Sequence, residues 1–418
     1  MSLRADPASP APPATASRSP WRMLLALCGA FTLSQAFRTI AAIMAAPLAA
    51  EFSLSPQALG LFAGAFHFAF GALQLFMGIG IDLHGLRRTV LVAFPLAIAG
   101  SVLSALAPNF PTLVIGQVLI GIGCAPAFLV CTVFIARHFA PQRFAAVSGV
   151  VLAVGSVGML LTGTPLAWLI EASSWRMGFW VLAGCAVAAW LVIARVVHEP
   201  HVAPTGPRES LGQAVRTFGA LFTLPHTAGI LALAAVAYAS FVALRGLWLG
   251  PMLMQRHGDT LVQSGNIAVL MTVIALIGPP VFGRLDPGPA RRRRWLTGFS
   301  LAMAALFAVL ALDTHKGVDV AAVLAIGLLS GYTVLQYSDV KGAYAPAVTG
   351  RALALFTMAM FMGVALVQWL TGAVASVAQA HGVEPFLAVY GSISAMLVLG
   401  ALAFVWLPQP AVPLPAGR

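Results

Sequence analysis

The amino-acid sequence predicts an all-α membrane protein in which twelve transmembrane helices form two pseudo-symmetric bundles of six. Its composition, a series of long apolar segments and a repeated pattern in the two halves lead to this prediction. Of the 418 residues, 60% are hydrophobic and only 8% are charged, whereas soluble domains carry roughly 25% charged residues. Because so few charges could not cover a soluble surface of this size, we expect a lipid bilayer to surround the protein.

The apolar segments have the length of membrane-spanning helices, which need roughly 20 predominantly apolar residues. In the first half of the chain they lie near residues 22–46, 58–81, 89–107, 111–136, 145–170 and 176–197. In the second half they lie near residues 226–254, 262–283, 295–312, 318–338, 351–377 and 384–407. The pattern is six helices, a polar stretch, and six helices.

These segments divide the chain into five regions. We expect a disordered cytoplasmic tail, a first bundle, a cytoplasmic linker, a second bundle and a short cytoplasmic tail, at residues 1–20, 21–197, 198–224, 225–408 and 409–418. The first tail is rich in Pro, Ala and Ser and has no apolar segment before Trp21, so it does not resemble a cleaved signal peptide. The first apolar segment is therefore expected to act as an uncleaved signal anchor.

The basic residues indicate the orientation in the membrane. With the N terminus in the cytoplasm, 18 of the 23 Lys and Arg residues fall on the cytoplasmic side and 3 on the outer side. This asymmetry follows the positive-inside rule and predicts a multi-pass protein of a bacterial-type inner membrane with both termini in the cytoplasm. The basic residues lie in separate loops, so the net charge of +11 does not indicate nucleic-acid binding.

Neither a cofactor, a metal site nor an enzymatic centre is expected. The four cysteines lie within apolar segments and lack the spacing of metal ligands. An enzyme would need a nucleophile, a base or a metal cluster, and no such constellation is visible. A receptor would usually carry a soluble signalling domain, and the longest polar segment is too short for one.

The two halves repeat at a constant offset. Three pairs of residues are separated by 208 positions: Arg143 and Arg351, Gly123 and Gly331, and Gly155 and Gly363. Duplication of a six-helix unit is typical of secondary transporters, in which two similar halves rock about a central site. Because the two-bundle fold is complete in one chain, we expect a monomer.

A loop motif stands between the second and third apolar segments. It reads Gly78-Ile-Gly-Ile-Asp82-Leu-His-Gly85-Leu-Arg87-Arg88. Its order of glycine, acid, glycine and basic residues resembles the signature loop of the major facilitator superfamily, although that family often has basic residues at the positions of Leu83 and Leu86. A weaker echo, Asp286-Pro-Gly288 before four arginines, stands in the second half. With the six-plus-six layout, the resemblance covers residues 21–408 and implies an alternating-access secondary transporter.

The resemblance also implies a gating role for this loop. In that family the loop acid helps to hold the cytoplasmic gate shut, so we expect Asp82 to act with the start of the eleventh helix near Arg351. Gly85, Arg87 and Arg88 complete the expected gate. In a simpler alternative, the loop only sets the topology and Asp82 satisfies the turn.

Two arginines within apolar segments are the candidates for substrate binding. Arg38 lies in the first segment and Arg245 in the seventh, at an offset of 207 that makes them nearly equivalent. A membrane-embedded Arg costs about 2.5–3.5 kcal/mol on insertion scales, and neither apolar segment contains an acid to neutralise it. Paired arginines facing a cavity predict an anionic substrate, because a guanidinium donates two parallel hydrogen bonds to a carboxylate or phosphate.

The arginine pair also resembles the organic-anion branches of the superfamily, such as organophosphate antiporters and related carboxylate carriers. We therefore predict a transporter of a small organic anion, a carboxylate or a phosphate ester, bound between the bundles by Arg38 and Arg245. Alternatively, one Arg snorkels to the interface or bonds backbone carbonyls.

The alternative for the whole protein is an efflux pump for hydrophobic or cationic drugs. That class would place an acid in the cavity, and all twelve acids lie in loops or near the ends of the apolar segments. Drug–proton antiporters of the superfamily also tend to have a Gly-Pro pair in the fifth helix, where this chain has Gly158-Met159.

Further polar or aromatic residues within the apolar segments are candidates to contact the substrate: His67, Gln117, Trp248, Gln336, Tyr337 and Gln368. His67 could carry a proton or bond a neighbouring helix, and the glutamines could equally bond between helices. Gln117 stands where the family often has an Arg that is linked to proton coupling. Coupling through His67, exchange with a counter-anion and facilitated passage therefore all remain open.

Overall fold

The computed structural model describes residues 20–140, 143–198, 216, 218–312, 315–345 and 348–409. Six residues within helices are described by their backbone alone: Leu75, Ile79, Asp82, Leu83, Phe144 and Ala145. The expected N-terminal tail, most of the expected linker and nearly all of the expected C-terminal tail lie outside the described residues.

Twelve helical crossings form the described part of the chain, and several of them are interrupted. Those of the first half are α1 (Pro20–Phe52), α2a (Pro56–Ala72), α2b (Gln74–His84), α3 (Leu86–Ala105), α4a (Phe110–Cys124), α4b (Ala127–His138), α5a (Phe144–Leu161), α5b (Thr164–Ala172) and α6 (Trp175–Val196). Those of the second half are α7a (Thr227–Ala243), the π-helical turn π1 (Leu244–Trp248), α7b (Leu249–His257), α8 (Leu261–Arg284), α9 (Pro289–Ala311), α10a (Lys316–Leu329), α10b (Thr333–Ala343), α11 (Thr349–Ala380) and α12 (Pro385–Trp406).

The number of crossings agrees with the prediction. Among the described residues, 11 helical stretches are long and apolar enough to span a membrane on their own. The twelfth crossing is α2, which is interrupted at Leu73, where Gln74 Nε2 donates to the carbonyl oxygens of Phe70 and Ala125. We call the side at which α1 begins the basic side, because most Lys and Arg residues lie there, and the other side the far side.

Polar caps begin several helices on the far side. The side chains of Ser55, Asn109 and Ser174 each accept a hydrogen bond from a backbone N–H in the first turn of α2a, α4a and α6. Thr260 and Gln263 form a capping box at the start of α8. Such caps satisfy backbone N–H groups that have no partner within the helix, so each helix has a defined beginning at the membrane surface.

Small residues let equivalent helices of the two halves pack in the same way. Gly155 of α5a lies against the ring of Phe31 on α1, and Gly363 of α11 lies against the backbone of Ala235 on α7a. The contact of α1 with α5 therefore corresponds to the contact of α7 with α11, as expected for a duplicated unit.

The proposed match of Gly123 with Gly331 does not hold in the same detail. Gly123 of α4a packs on Ala97 of α3, whereas Gly331 packs on Gly278 of α8, the counterpart of α2. The residue of α4a that packs against α2a is Gly121, which lies on the Phe66 carbonyl. Residues two positions apart face different sides of a helix, so the sequence offset identifies the helix but not the contact.

The two bundles meet closely on the far side. A methyl group at Gly372 of α11 would lie 2.7 Å from the Pro56 carbonyl oxygen of α2a, and one at Gly265 of α8 would lie 2.9 Å from the Thr164 backbone nitrogen of α5b. These distances leave no room for side chains, so the backbones of the two halves are in direct contact. Hydrogen bonds also join the halves there, from Gln57 N to Ser376 Oγ (3.0 Å) and from Val262 N to Glu171 Oε1 (3.2 Å).

Several glycines of these helices have open surroundings towards the basic side. A methyl group at Gly149 of α5a or at Gly283 of α8 would meet no described atom within 4 Å, and one at Gly78 of α2b would meet only Leu129 of its own half. The interface between the two bundles is therefore packed most tightly on the far side.

Candidate anion site between the bundles

Two interruptions of regular helix face each other at the centre. α5 is interrupted between Leu161 and Thr164, where Pro165 lacks the N–H that the Leu161 carbonyl would accept in a continuous helix. α7 contains the π1 turn, a conformation that is frequent at functional sites. The interruption in α5 leaves backbone carbonyl groups of the first half available to the turn that carries Arg245.

Arg245 projects from π1 and is fully buried, with 0% of its surface exposed. Its Nε donates to Thr272 Oγ1 of α8 (3.1 Å), and its Nη2 donates to the backbone carbonyl oxygen of Met159 on α5a (2.8 Å). Its Nη1 has no hydrogen-bond partner among the described residues. Arg245 thus links the second bundle to the first and keeps one donor group unused.

Arg38 of α1 lies in an aromatic environment. Its guanidinium carbon is 4.7 Å from the centre of the Phe361 ring and 5.0 Å from that of Phe70. Its Nη1 donates to the Tyr238 hydroxyl (3.2 Å), and its Nε has no partner in the described part of the chain. Cation–π contacts of this kind contribute about 0.5–2 kcal/mol, and they hold the guanidinium in place without neutralising its charge.

The helical segments that carry the two arginines meet across the interface between the bundles. A methyl group at Gly246, the residue after Arg245, would lie 3.4 Å from the Arg38 carbonyl oxygen. Gln35, one turn before Arg38, donates to the sulfur of Met159 (3.8 Å), the residue whose carbonyl accepts from Arg245. The ion pairs of the described residues include neither arginine. The centre therefore holds two guanidinium groups with no described carboxylate in contact.

His67 and Gln368 add further polar atoms to this centre. His67 Nδ1 lies 3.1 Å from the Ala63 carbonyl oxygen, and its ring stacks on Phe361 at a centroid distance of 6.4 Å. Gln368 lies beside His67, but His67 Nε2 and both amide atoms of Gln368 have no hydrogen-bond partner within the described ranges. Buried polar atoms are usually hydrogen-bonded, so these atoms are suited to bind water or a ligand.

The neighbouring residues Gln336 and Tyr337 of α10b face different environments. Tyr337 packs on Phe356, lies near Tyr238 and Arg38, and is nevertheless 39% exposed. Gln336 is 3% exposed and lies among residues of the second bundle alone. The two residues face different surroundings because adjacent residues point about 100° apart around a helix. Contact of Gln336 with the substrate stays a prediction.

Trp248 and Gln117 lie on the far side of the centre. Trp248 Nε1 donates to Thr371 Oγ1 (2.9 Å), and its ring borders a mainly apolar cavity of about 110 Å³ between the bundles. Gln117 is buried on α4a, one turn before Gly121, on the face that packs against α2a. Both residues therefore lie in the tightly packed part of the molecule.

The predicted gating loop is a sharp turn between α2b and α3. Gly85 has a positive φ of 81°, a conformation that favours glycine. Arg87 donates to the Ala194 carbonyl oxygen of α6 (2.8 Å), and Arg88 is exposed. The side chain of Asp82 lies outside the described residues, so its action near Arg351 stays a prediction.

The weaker echo of the motif adopts a matching turn in the second half. Gly288 has a φ of 79° before α9, and Asp286 accepts hydrogen bonds from the Gly288 N–H (3.1 Å) and from Arg292 Nη2 (2.7 Å). The bond from Arg292 holds the pKa of Asp286 below its ordinary value. In this loop an acid and an arginine therefore fix the turn between two helices.

The groups that hold the arginines were not predicted from the sequence. The Met159 carbonyl is a backbone atom that any residue supplies, and Thr272, Phe70 and Phe361 have the pattern of ordinary helix residues. The available signal is Gly163-Thr-Pro165, because a proline inside a helical pattern predicts an interruption and unpaired carbonyls.

Comparison with known proteins decides the family. The sequence model of the Major Facilitator Superfamily matches residues 26–367. The chain belongs to this superfamily. This agrees with the resemblance read from the sequence, and the superfamily consists of transporters rather than enzymes.

Curated relatives of this superfamily member include both efflux pumps and a sugar-acid carrier. An MFS-type efflux pump of Mycolicibacterium smegmatis is 27% identical over 290 residues, which cover 65% of this chain and 63% of that protein. The hexuronate transporter of Bacillus subtilis is 24% identical over 239 residues, 54% of this chain and 55% of that protein. An efflux pump of Hypomyces subiculosus is 26% identical over 180 residues, which cover 43% of this chain and 31% of its own length. The chain thus spans less than two thirds of the length of each of these relatives.

Solved structures share the fold over nearly the whole chain. A bacterial homologue of the human lysosomal transporter Spinster, in an inward-facing and unoccupied conformation, has a TM-score of 0.69 and 19% identity, covering 93% of this chain and 95% of that one. A D-xylose–proton symporter has a TM-score of 0.72 and 18% identity, covering 93% and 98%. Both comparisons agree with the predicted twelve-helix fold.

Proposed function

We propose that this transporter carries a small organic anion, a carboxylate or a phosphate ester, and binds it between the bundles with Arg38 and Arg245. The observation that carries the proposal is the pair of buried guanidinium groups without a described carboxylate in contact. Burying like charges is costly unless a partner compensates them. Carboxylate and phosphate oxygens supply that compensation and accept two parallel hydrogen bonds from one guanidinium.

The arrangement of donors supports a ligand rather than a purely structural role. Thr272 and Met159 occupy two nitrogen atoms of Arg245, and Nη1 is left over. Arg38 likewise retains its Nε. The polar atoms of His67 and Gln368 are available beside Arg38 for the remainder of an organic molecule.

The relatives support two substrate classes to different degrees. Similarity to a hexuronate transporter favours an organic acid, and similarity to efflux pumps favours hydrophobic or cationic drugs. A cation would meet two arginines at this centre and no described acid. The charge of the site therefore favours the organic acid.

We further propose the direction of the cavity. Because Lys and Arg favour cytoplasmic loops, the basic side would face the cytoplasm of a bacterial-type inner membrane. The substrate then enters or leaves from the cytoplasmic side, past the exposed Tyr337. Transport requires the far side to open and the loop of Asp82 to close near Arg351. We propose that a single chain carries out this cycle as a monomer.

Two couplings are compatible with the proposed site. In one, a counter-anion binds the same arginines and is carried in the opposite direction as the transporter returns to its starting conformation. In the other, His67 carries a proton beside Arg38. Uptake into vesicles that are preloaded with anion, compared with uptake driven by a pH gradient, separates the two.

The test is a thermal-shift screen of the purified protein. Glucuronate, pyruvate and glycerol 3-phosphate represent the anions, and tetraphenylphosphonium represents lipophilic cations. A ligand that binds the folded state stabilises it, by about 2.7 kcal/mol when the ligand concentration is a hundred times Kd. This stabilisation raises the melting temperature of the protein. We expect stabilisation by at least one anion, and its loss in Arg38→Gln and in Arg245→Gln.

Arg195→Gln, which changes an exposed arginine at the end of α6, is the matched control and should behave as the wild type. Stabilisation by the cation alone, equal in both central variants, would reject the anion site and favour the efflux pump. Size-exclusion chromatography in detergent checks that every variant is folded.

A further inference from the structure

We propose that the Met159 backbone carbonyl is an internal competitor of the substrate: it holds Arg245 in the empty transporter, and the anion must displace it. This inference rests on the proposed function, since it concerns the same arginine. It assigns a role to the interruption of α5, which would otherwise be a simple bend.

The free carbonyl results from the local sequence. In a continuous helix, the Gly163 N–H would bond to the Met159 carbonyl four residues earlier. Here the Gly163 N–H bonds to the Leu160 carbonyl instead (3.1 Å), because the chain turns before Pro165. The Met159 oxygen then accepts from the Thr162 hydroxyl (3.1 Å) and from Arg245.

The orientation of the arginine follows from Thr272. The Thr272 hydroxyl donates to the Ala268 carbonyl oxygen (2.7 Å), so it has only lone pairs to offer and accepts from Arg245 Nε. This fixes the plane of the guanidinium and directs its Nη1 and Nη2 edge towards α5. With Nε engaged by Thr272, that edge is the one left to bind a carboxylate through two parallel hydrogen bonds.

The competition favours an anion. Met159 offers one neutral oxygen, which engages Nη2 and leaves Nη1 without a described partner. A carboxylate offers two charged oxygens, so it adds an ion pair to the hydrogen bond and engages Nη1 and Nη2 at once, whereas the carbonyl engages one nitrogen. An anion can therefore replace the carbonyl, whereas a neutral amide offers no better acceptor than the one already present.

Displacement also has a mechanical consequence. The bond from Arg245 to Met159 joins π1 of the second bundle to α5a of the first, close to the contact of Gly265 with Thr164. Arg245 is completely buried, so an anion reaches it only when π1 and α5 move apart. Breaking this bond removes a link that holds the far side closed, which ties substrate binding to the movement of the bundles.

The test uses Pro165→Ala, which supplies the missing N–H and favours a continuous α5 in which Gly163 satisfies Met159. Pro95→Ala in α3 also removes an internal helical proline and is the matched control. Without its competitor, Arg245 should bind the most stabilising of the three screened anions about threefold to tenfold more tightly, the equivalent of one net hydrogen bond. In an Arg245→Gln background, Pro165→Ala should not restore anion binding.

A second readout needs no ligand. Spin labels on the far side, at Leu106 of the first half and Leu312 of the second, which are 62% and 68% exposed, report the distance between the bundles. In ligand-free protein, Pro165→Ala and Arg245→Gln should each raise the far-side-open population about threefold to tenfold over Pro95→Ala.

The outcomes separate this inference from the proposed function. If no anion stabilises any variant but both substitutions shift the distance, the internal link stands and the anion site is rejected. If an anion binds the wild type and Pro165→Ala equally and the ligand-free distances are unchanged, the competitor is rejected and the anion site stands. Thr272→Val, which releases Nε, provides a further check, since it should weaken anion binding without creating the open population seen in Pro165→Ala.

Discussion

The contact of Gly265 with Thr164 should determine how firmly the far side closes. Gly265→Ala would place a methyl group 2.9 Å from the Thr164 backbone nitrogen and 3.0 Å from its Cα. Ordinary contacts of such a carbon lie at 3.4–4 Å, so the helices must separate by roughly 0.5–1 Å, and backbone atoms cannot turn aside as a side chain does. Overpacking of this size costs about 1–3 kcal/mol, which corresponds to a roughly 5- to 150-fold shift towards the state that is open on the far side.

The assay is the distance between spin labels at Leu106 and Leu312, with the exposed Cys185 replaced by Ser. Gly283→Ala is the matched control, because it lies on the same helix and its methyl group would meet no described atom within 4 Å. Both substitutions favour helix by about 1 kcal/mol, so the difference between them isolates the contact. Equal distance distributions in the two variants would refute the closed interface described above.

Three further outcomes are expected. Glu384→Gln weakens the two charged hydrogen bonds that Glu384 accepts from Arg256, of 3.0 and 2.9 Å. It should destabilise the protein by about 1–3 kcal/mol and lower its melting temperature. An unchanged melting temperature would contradict a stabilising role of this pair. Tyr238→Phe removes the hydroxyl that accepts from Arg38 and should weaken anion binding about threefold to tenfold, as measured by thermal-shift titration, whereas unchanged affinity would exclude an orienting role. Asp286 has a lowered pKa, so its pairing with Arg292 should stabilise the protein fully above pH ~4 and progressively less as the pH falls through the native pKa. Asp286→Asn should therefore lower the melting temperature at pH 7 and have no such effect at low pH. A difference in melting temperature that does not depend on pH would contradict this.

Much of the fold was predictable because membrane crossings depend on composition and length alone. A bilayer requires each backbone group to bond within its own segment, so apolar stretches of sufficient length are read directly as helices. Interruptions were harder to predict. The π1 turn has an unremarkable sequence, Leu244–Trp248, and depends on its contacts with α1, while Leu73 interrupts α2 without a proline or glycine at that position.

The charged residues of the candidate site were predictable from the sequence. Arg38 and Arg245 stand out because apolar segments rarely contain arginine, and the structure brings both to the centre. Neutral polar residues carry no comparable signal. Gln336 and Tyr337 are adjacent in sequence, yet Gln336 is buried within the second bundle and Tyr337 is exposed. Only the rotation of α10b within its bundle decides between these two environments.

The most direct test of the central proposal is counterflow into proteoliposomes that contain the purified transporter. The vesicles are preloaded with the anion that stabilises the protein best, and accumulation of the radiolabelled anion is measured. We expect accumulation with the wild type and with Arg195→Gln, and none with Arg38→Gln or Arg245→Gln although both are folded. Accumulation at the wild-type rate in both central variants would contradict the assignment of these arginines as the anion site.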